Sequence, residues 1–309
     1  MILGEITFVI IIAIQSSMSI LYATLGEIYT ERSGVLNLGI EGIMLMGALV
    51  GFATTFYTQN LLLGVLAAMI VGGLMASVHA FLTVTLQVNQ VVSGITIFTL
   101  GIGLTDYFGQ SLIGEVAPKF SVVGIPLLQD IPVIGQILFQ QNALVYAAYI
   151  LVPLMTIFLF NTKYGLNIRS VGEKPSTADT LGVNVFRIRY LCTIFGGMLA
   201  GLGGSYLSLS YIPGWRERMT GGQGWIAIAL TIFSMRNPVF GSLGAVFFGL
   251  INAFRVYSQA SQIAVPTFIL KMLPYLCTIF VLVVVSKKDV FKNLGVPSAL
   301  GKPYSREDN

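Results

Sequence analysis

The sequence is poor in charge. Of 309 residues only 10% are Asp, Glu, Lys or Arg, against roughly a quarter in a soluble domain. A soluble fold of this length could not hide the apolar remainder, because much of any folded surface must meet water. The soluble globular class is therefore excluded. Histidine occurs once, at His79, and no G-x-S-x-G is present, which argues against a Ser/His/Asp enzyme working alone. There is no G-x-x-x-x-G-K-[ST], so the chain has no P-loop of its own with which to hydrolyse ATP. Cysteine occurs twice, at Cys192 and Cys277, both inside apolar runs; they support neither a disulfide framework nor a zinc site and read as small core residues. Before the first apolar run there is no basic residue, only Glu5. That run reads as a retained span rather than a secretory signal.

What is present is apolar sequence in long runs. Hydrophobic residues make up 55% of the chain and the mean hydropathy is +0.83. At roughly 20 residues per crossing, this allows about eight or nine membrane helices. The runs are too long and too continuous for the alternating strands of a membrane barrel. The expected architecture is an all-α polytopic membrane protein. Its nine spans are placed near 6–25, 36–57, 61–86, 88–112, 143–162, 188–211, 224–235, 240–258 and 266–285, the seventh of them short.

Ten of the 17 Lys and Arg lie in two patches, Lys163 to Arg189 and Lys287 to Arg306. With a net charge of only +4, they read as membrane orientation and not as nucleic-acid binding. The positive-inside rule puts both patches in the cytoplasm, and the four spans between them agree in parity. Counting backwards places the 113–142 loop, with Pro118, Pro126 and Pro132, outside. The N-terminus is also outside, and the polar stretch Gly26 to Gly34 inside. Arg216 and Arg218 then fall outside, with Glu217 between them. The chain divides into a first membrane half (1–162), a cytoplasmic loop (163–187), a second membrane half (188–285) and a cytoplasmic tail (286–309).

The halves share a pattern. ATLGEIYTERSGVLNLGIEG (23–42) and YLSLSYIPGWRERMTGGQGW (206–225) each carry a Glu/Arg cluster and then glycine-rich sequence before an apolar helix. One break falls inside and the other outside. The halves are thus expected to be inverted repeats around broken helices, an architecture of transporters.

Glu41 lies near the start of span 2, between Gly39 and Gly42 and after Asn37. A charge within the bilayer must find a partner or water, and the flanking glycines suit a broken helix lining a cavity. Glu41 is either a pathway residue or an acid stabilising a helix N-terminus. Asn89, Gln90, Ser93 and Thr96 cluster at the start of span 4, with Gln223 before span 7 and Asn252 in span 8. These uncharged groups suit either a neutral polar solute in a pathway or hydrogen bonds between helices. Asp106, Arg255 and Lys271 lie in or near spans, where long basic side chains can snorkel. Gly47/Gly51 and Gly197/Gly201 have the small-residue spacing of close helix packing. The segment 168–188, IRSVGEKPSTADTLGVNVFRI, is too long for a tight turn. Pro175 can open a short helix that Gly182 ends, so STADTL reads as a docking helix under the membrane.

Three stretches resemble one family. SGVLNLGIEGIMLMGA (33–48) is similar to the signature of ABC-importer permeases of the simple-sugar, branched-chain amino-acid and nucleoside group. IRSVGEKPSTADTLGVNV (168–185) resembles their coupling loop, with Lys174, Thr177 and Val183 departing from the usual residues. GGQGWIAIALTIFSMRNPVFGSLGAVFFG (221–249) resembles their second-half segment. The form from Glu31 to Gly42 looks most like the nucleoside-uptake branch. The resemblance implies a type II importer fold and a non-catalytic subunit in a bacterial cell membrane. It also implies a partner ATPase that holds ATP and magnesium, a second and different permease chain, and an extracytoplasmic substrate-binding lipoprotein. No cofactor is expected on this chain. Arg169, Gly172, Glu173, Pro175, Ala178, Leu181 and Gly182 would form the ATPase-coupling loop. The pathway residues would be Asn37, Glu41, Asn89, Gln90, Ser93, Gln223 and Asn252. The alternatives are the same class carrying a simple sugar or branched-chain amino acid, and an ion-coupled secondary transporter using Glu41 or Asp106.

Overall fold

The computed structural model describes residues 2–260 and 296–305, together with Met272, Leu276 and Ile279. Apart from those three residues, the expected ninth span (266–285) lies outside the described residues, as do Lys271, Cys277, Lys287 and Arg306.

Helices dominate. In chain order they are α1 (Ile2–Arg32), α2 (Ile40–Thr58), α3 (Leu61–Ala80), α4 (Gln90–Phe108), α5 (Ile134–Leu138), α6 (Ala143–Asn161), α7 (Lys163–Glu173), α8 (Pro175–Thr180), α9 (Val185–Tyr206), α10 (Gln223–Phe233) and α11 (Pro238–Ala260). Wider π-helical turns extend α3 through Thr85 and α9 through Tyr211. Asparagine starts several helices. Asn60, Asn89 and Asn142 each accept two backbone N–H bonds in the first turn of α3, α4 and α6, satisfying donors that a helix start leaves unpaired. The fold is not purely helical, since strands β1 (Val122–Gly124) and β2 (Gln140–Asn142) pair antiparallel within the 113–142 loop.

Among the described residues, seven helices are long and apolar enough to cross a membrane: α1, α2, α3, α4, α6, α9 and α11. The seventh expected span is α10. Its 11 residues reach about 16 Å at ~1.5 Å per residue, about half the ~30 Å hydrocarbon thickness. It completes a crossing only with the irregular segment 212–222 before it. The expected loop from Gly26 to Gly34 is also corrected. Helix α1 continues to Arg32, and Glu27 and Glu31 stand one turn apart on its buried face. Their polarity signals a buried ion network, not a helix end.

Helix α9 is the hub, packed against α1, α2 and α3. Its glycines allow this. A Cβ on Gly26 of α1 would stand 2.5 Å from the Gly196 carbonyl oxygen, and one on Gly203 would stand 2.7 Å from that of Ser19. Any side chain there would push the backbones apart.

The contacts define two ends. Arg32, Gln87, α7–α8, Arg189, Arg236 and residues 296–305 gather at one, the α7–α8 end. The paired strands, Gly109, Trp215 and the start of α6 lie at the other, the hairpin end. The break before α2 (33–39) enters from the α7–α8 end, and the break before α10 (212–222) from the hairpin end. The two polar breaks thus approach from opposite sides, as expected for inverted halves.

Candidate functional site

The two breaks meet at Glu41. This residue is in the first turn of α2 and is 5% exposed. Its Oε1 accepts from Thr220 Oγ1 at 2.6 Å and from the Gly222 amide at 2.8 Å, and its Oε2 accepts from the Gly224 amide at 2.6 Å. The carboxylate therefore caps α10, whose first amides have no partner within the helix, and its charge sits where the helix dipole favours it. Gly222 makes this possible with φ +86°, and a Cβ on Gly224 would meet the Glu41 backbone at 2.5 Å. The neighbouring Gly42 packs on Phe98 and Gly101, about midway along α4. The junction is therefore deep in the bundle, where the irregular backbone is tolerated because it is enclosed by protein.

A second group of side chains holds the 33–39 break. The Asn37 amide donates to Glu27 Oε1 at 3.1 Å, and Asn37 Oδ1 accepts from Gly39 N at 2.9 Å. Leu36 is held on both sides: its N–H donates to Gln90 Oε1 at 2.7 Å, and its carbonyl pairs with His79 Nε2 at 3.1 Å. His79 Nδ1 pairs with Ser93 Oγ at 2.9 Å. His79 thus ties α3 to α4 and to the break. Asn37, Gln90, Ser93 and Glu41 thus come together around one break. Gln223 joins them at the start of α10. Its Oε1, Asn37 Nδ2 and Gln90 Nε2 are buried without a hydrogen-bond partner among the described residues. Asn89 stands apart as the exposed cap of α4, and Asn252 as a donor to Tyr211 at 2.9 Å on α11. Asp106 pairs at 3.2 Å with Arg218, whose side chain is 71% exposed.

Sequence reasoning missed the ion network at the α7–α8 end. Arg236, in the turn between α10 and α11, donates from Nε to Glu31 Oε2 at 2.6 Å, with both side chains almost wholly buried. Arg32 holds the same turn by bonding the Met235 and Arg236 carbonyls at 2.9 and 3.1 Å. Met235 and Arg236 have φ +51° and +55°, a left-handed turn unusual for side-chain-bearing residues. The signal in the sequence was the i, i+4 spacing of Glu27 and Glu31 together with a lone arginine in SMRNP.

The 163–184 segment holds more helix than expected. Besides the short helix at Pro175–Thr180 there is α7, capped by Thr162. Gly172 is buried under the Arg32 backbone, and Ala178 is buried on Val171 and Val185. Leu181 is 79% exposed, and Gly182 closes α8 at φ +83°. Arg169 lies over the Phe160 ring at 5.4 Å. Glu173 is exposed and accepts from Ser298. The arrangement presents a short helix with an uncovered leucine at its end.

These features define a multi-pass membrane subunit with a polar broken-helix junction and, at one end, a short helix followed by an exposed leucine. The family model described as branched-chain amino acid transport system / permease component matches residues 9–282, and the chain belongs to that family. It is 40% identical to a Haloferax volcanii protein provisionally named a glucose ABC transporter permease, TsgC13, across 95% of this chain and 96% of that one. It is 34% identical to the guanosine ABC transporter permease NupQ of Bacillus subtilis, across 92% and 93%. Identity is also 34% to the nucleoside ABC transporter permease NupC of Lactococcus lactis, across 86% and 88%. A solved inward-facing structure, provisionally described as a metal-chelate type ABC transporter, shares the fold at a TM-score of 0.51 and 14% identity, covering 90% of this chain and 84% of that one. The chain is a non-catalytic permease subunit of an ABC importer of the sugar and nucleoside type, and it works with an ATPase partner.

Proposed function

We propose that the chain is one of two different permease subunits of an ATP-driven nucleoside importer in a bacterial cytoplasmic membrane, fed by an extracytoplasmic binding lipoprotein. The observation that carries the coupling half of this reading is the α7–α8 end, where Leu181 is exposed at the end of α8, which is seated by Ala178, while α7 is seated against the Arg32 backbone by Gly172. A partner ATPase, with its ATP and magnesium, would seat there. The α7–α8 end also gathers Arg32, Lys163, Arg169, Lys174, Arg187, Arg189, Arg236 and Lys302, against Lys119, Arg216, Arg218 and Arg255 toward the hairpin end. That asymmetry supports a cytoplasmic α7–α8 end and C-terminus.

In this reading ATP binding draws the docked helices together, and the movement reaches the junction of the breaks at Glu41. The solute passes along polar groups beside that junction. Asn37, Gln90 and Gln223 offer unpaired buried donors and acceptors, which suit the hydroxyls and base edges of a nucleoside. Thr96 and Thr99 of α4 are exposed, and the half-exposed Trp225 packs edge-on against Phe98 of the same helix. This surface would meet the second permease chain. NupQ and NupC support nucleoside cargo, and TsgC13 supports a sugar as the second reading.

The test is uptake of labelled guanosine, uridine, glucose and leucine by cells with and without the chain, with the membrane potential collapsed in parallel. Loss of nucleoside uptake alone, in cells whose remaining uptake survives collapse, is expected. Loss confined to glucose replaces the cargo, and uptake that vanishes with the potential contradicts the ATP-driven reading.

A further inference from the structure

In the sequence the end of the chain reads only as a polar cytoplasmic tail. Residues 296–305 do something else. They return under the α7–α8 end and bond to five separate parts of it. Ser298 Oγ donates to Glu173 Oε1 at 2.6 Å, at the end of α7. The Ala299 amide donates to the Gly172 carbonyl at 3.0 Å, and the Gly301 amide to the Gly34 carbonyl at 3.3 Å, inside the break before α2. Arg189 of α9, 1% exposed, donates from Nη1 to the Lys302 carbonyl at 3.1 Å. No carboxylate pairs with this guanidinium among the described residues.

Tyr304 is the far anchor. Its ring is 7% exposed, lies 5.8 Å from that of Phe186 and joins a small core with Val171, Ala178 and Val185. Its hydroxyl donates to Asp179 Oδ2 of α8 at 3.0 Å. Its carbonyl accepts from Gln87 Nε2 at 3.0 Å, in the turn between α3 and α4. That turn has a tight geometry, with Gln87 at φ +53°. It is flanked by His79 and Gln90, the two side chains that grip Leu36. One residue therefore joins the docking helix to the turn whose neighbours hold the break.

We infer that residues 297–304 are a strap that transmits movement of α8 to the 33–39 break, with Tyr304 as its positioning residue. This rests on the coupling reading proposed above. Without the strap, α8 would touch the rest of this end mainly through Ala178 and the chain on either side of it, and a push on Leu181 would be absorbed locally. With the strap, Asp179, Tyr304, Gln87, Gln90 and Leu36 form one continuous path of bonds and short backbone links. A chain of contacts does not by itself establish coupling, so the measurement must read coupling directly.

The complete importer, reconstituted in lipid vesicles, gives solute transported per ATP hydrolysed. Tyr304→Phe removes only the hydroxyl bond and keeps the ring in its core. Gln87→Leu removes the bond at the other end. Each is expected to lower the transport-to-hydrolysis ratio about fivefold, the weight of one hydrogen bond, while the ATPase copurifies at native yield. The double variant is expected to fall no further than either single one, as for two breaks in one path. A native ratio in both single variants overturns the strap. Lower ATPase copurification with an unchanged ratio also overturns it, since the tail would then be docking scaffold alone. Failure of the coupling reading itself looks different: the ATPase would stay bound when Leu181 is replaced by Asp, whatever the ratio in the Tyr304 and Gln87 variants.

Discussion

Glu41 and Arg236 show how single charges are kept in this bundle, and why only one of them was legible. Glu41 was conspicuous because it stands between glycines in an apolar run. Its two possible roles could not be separated, because the partner is Gly222 and Gly224, about 180 residues away. In the structure it is a cap joining the halves. Glu41→Ala leaves two amides and a hydroxyl without their acceptor, and bonds to a charged group are worth about 1.5–3 kcal/mol each. Uptake is expected to fall at least about tenfold, the equivalent of ~1.4 kcal/mol. Asp106→Ala removes an exposed pair worth about 0–1 kcal/mol and should leave uptake within about fivefold. The reverse order would contradict the placement of the junction.

Arg236 was passed over because Glu31 read as part of a loop. Arg236→Met leaves Glu31 buried and unpaired, at a cost of about 3–5 kcal/mol. The detergent-purified chain is expected to melt well below the native one. Arg236→Met combined with Glu31→Met should recover most of the loss, because both members of the ion pair are removed and Glu27 keeps its bond from the Asn37 amide. A double variant as unstable as the single one would show that the pair does more than neutralise itself.

Among the elements, the long helices were readable because each is a run of apolar residues closed by asparagine, glycine or a polar turn. Boundaries failed where polar residues lie on a buried helix face, as at the end of α1, and where a helix is amphipathic rather than apolar, as in α7. The short helix α8 was readable from Pro175 and Gly182, which mark its two ends. What packs beneath it was not, since Tyr304 is distant in sequence.

The docking role proposed for α8 has its own test. Gly182 has open space where a Cβ would stand, but its φ of +83° is unfavourable for any other residue. Gly182→Trp both strains the turn and blocks the surface beside Leu181. It is expected to abolish ATPase copurification without changing membrane insertion. Leu181→Asp, which leaves the backbone alone, should weaken copurification at least about tenfold, the ~1.4 kcal/mol equivalent of burying part of one leucine. Normal ATPase retention in both variants would move the dock elsewhere.

At the scale of the whole molecule, α9 ties α1, α2 and α3 together through glycine contacts, while the two breaks cross toward each other from opposite ends. The tight hub and the irregular junction suit different tasks. A close-packed core moves as a unit, whereas at the junction a single carboxylate, Glu41, bridges the two breaks. Composition and repeat pattern were enough to anticipate a membrane transporter with inverted halves. The meeting of the breaks at one carboxylate and the return of the tail needed the three-dimensional arrangement.

The most direct measurement is solute-stimulated ATP hydrolysis by the complete importer in sealed vesicles with identical ions on both sides. A permease that couples ATP to nucleoside movement requires guanosine, delivered by its binding protein, to accumulate only when ATP is supplied on the α7–α8 side, and to raise hydrolysis as it does so. Accumulation driven by an imposed ion gradient without ATP, or hydrolysis indifferent to every nucleoside offered, would contradict it.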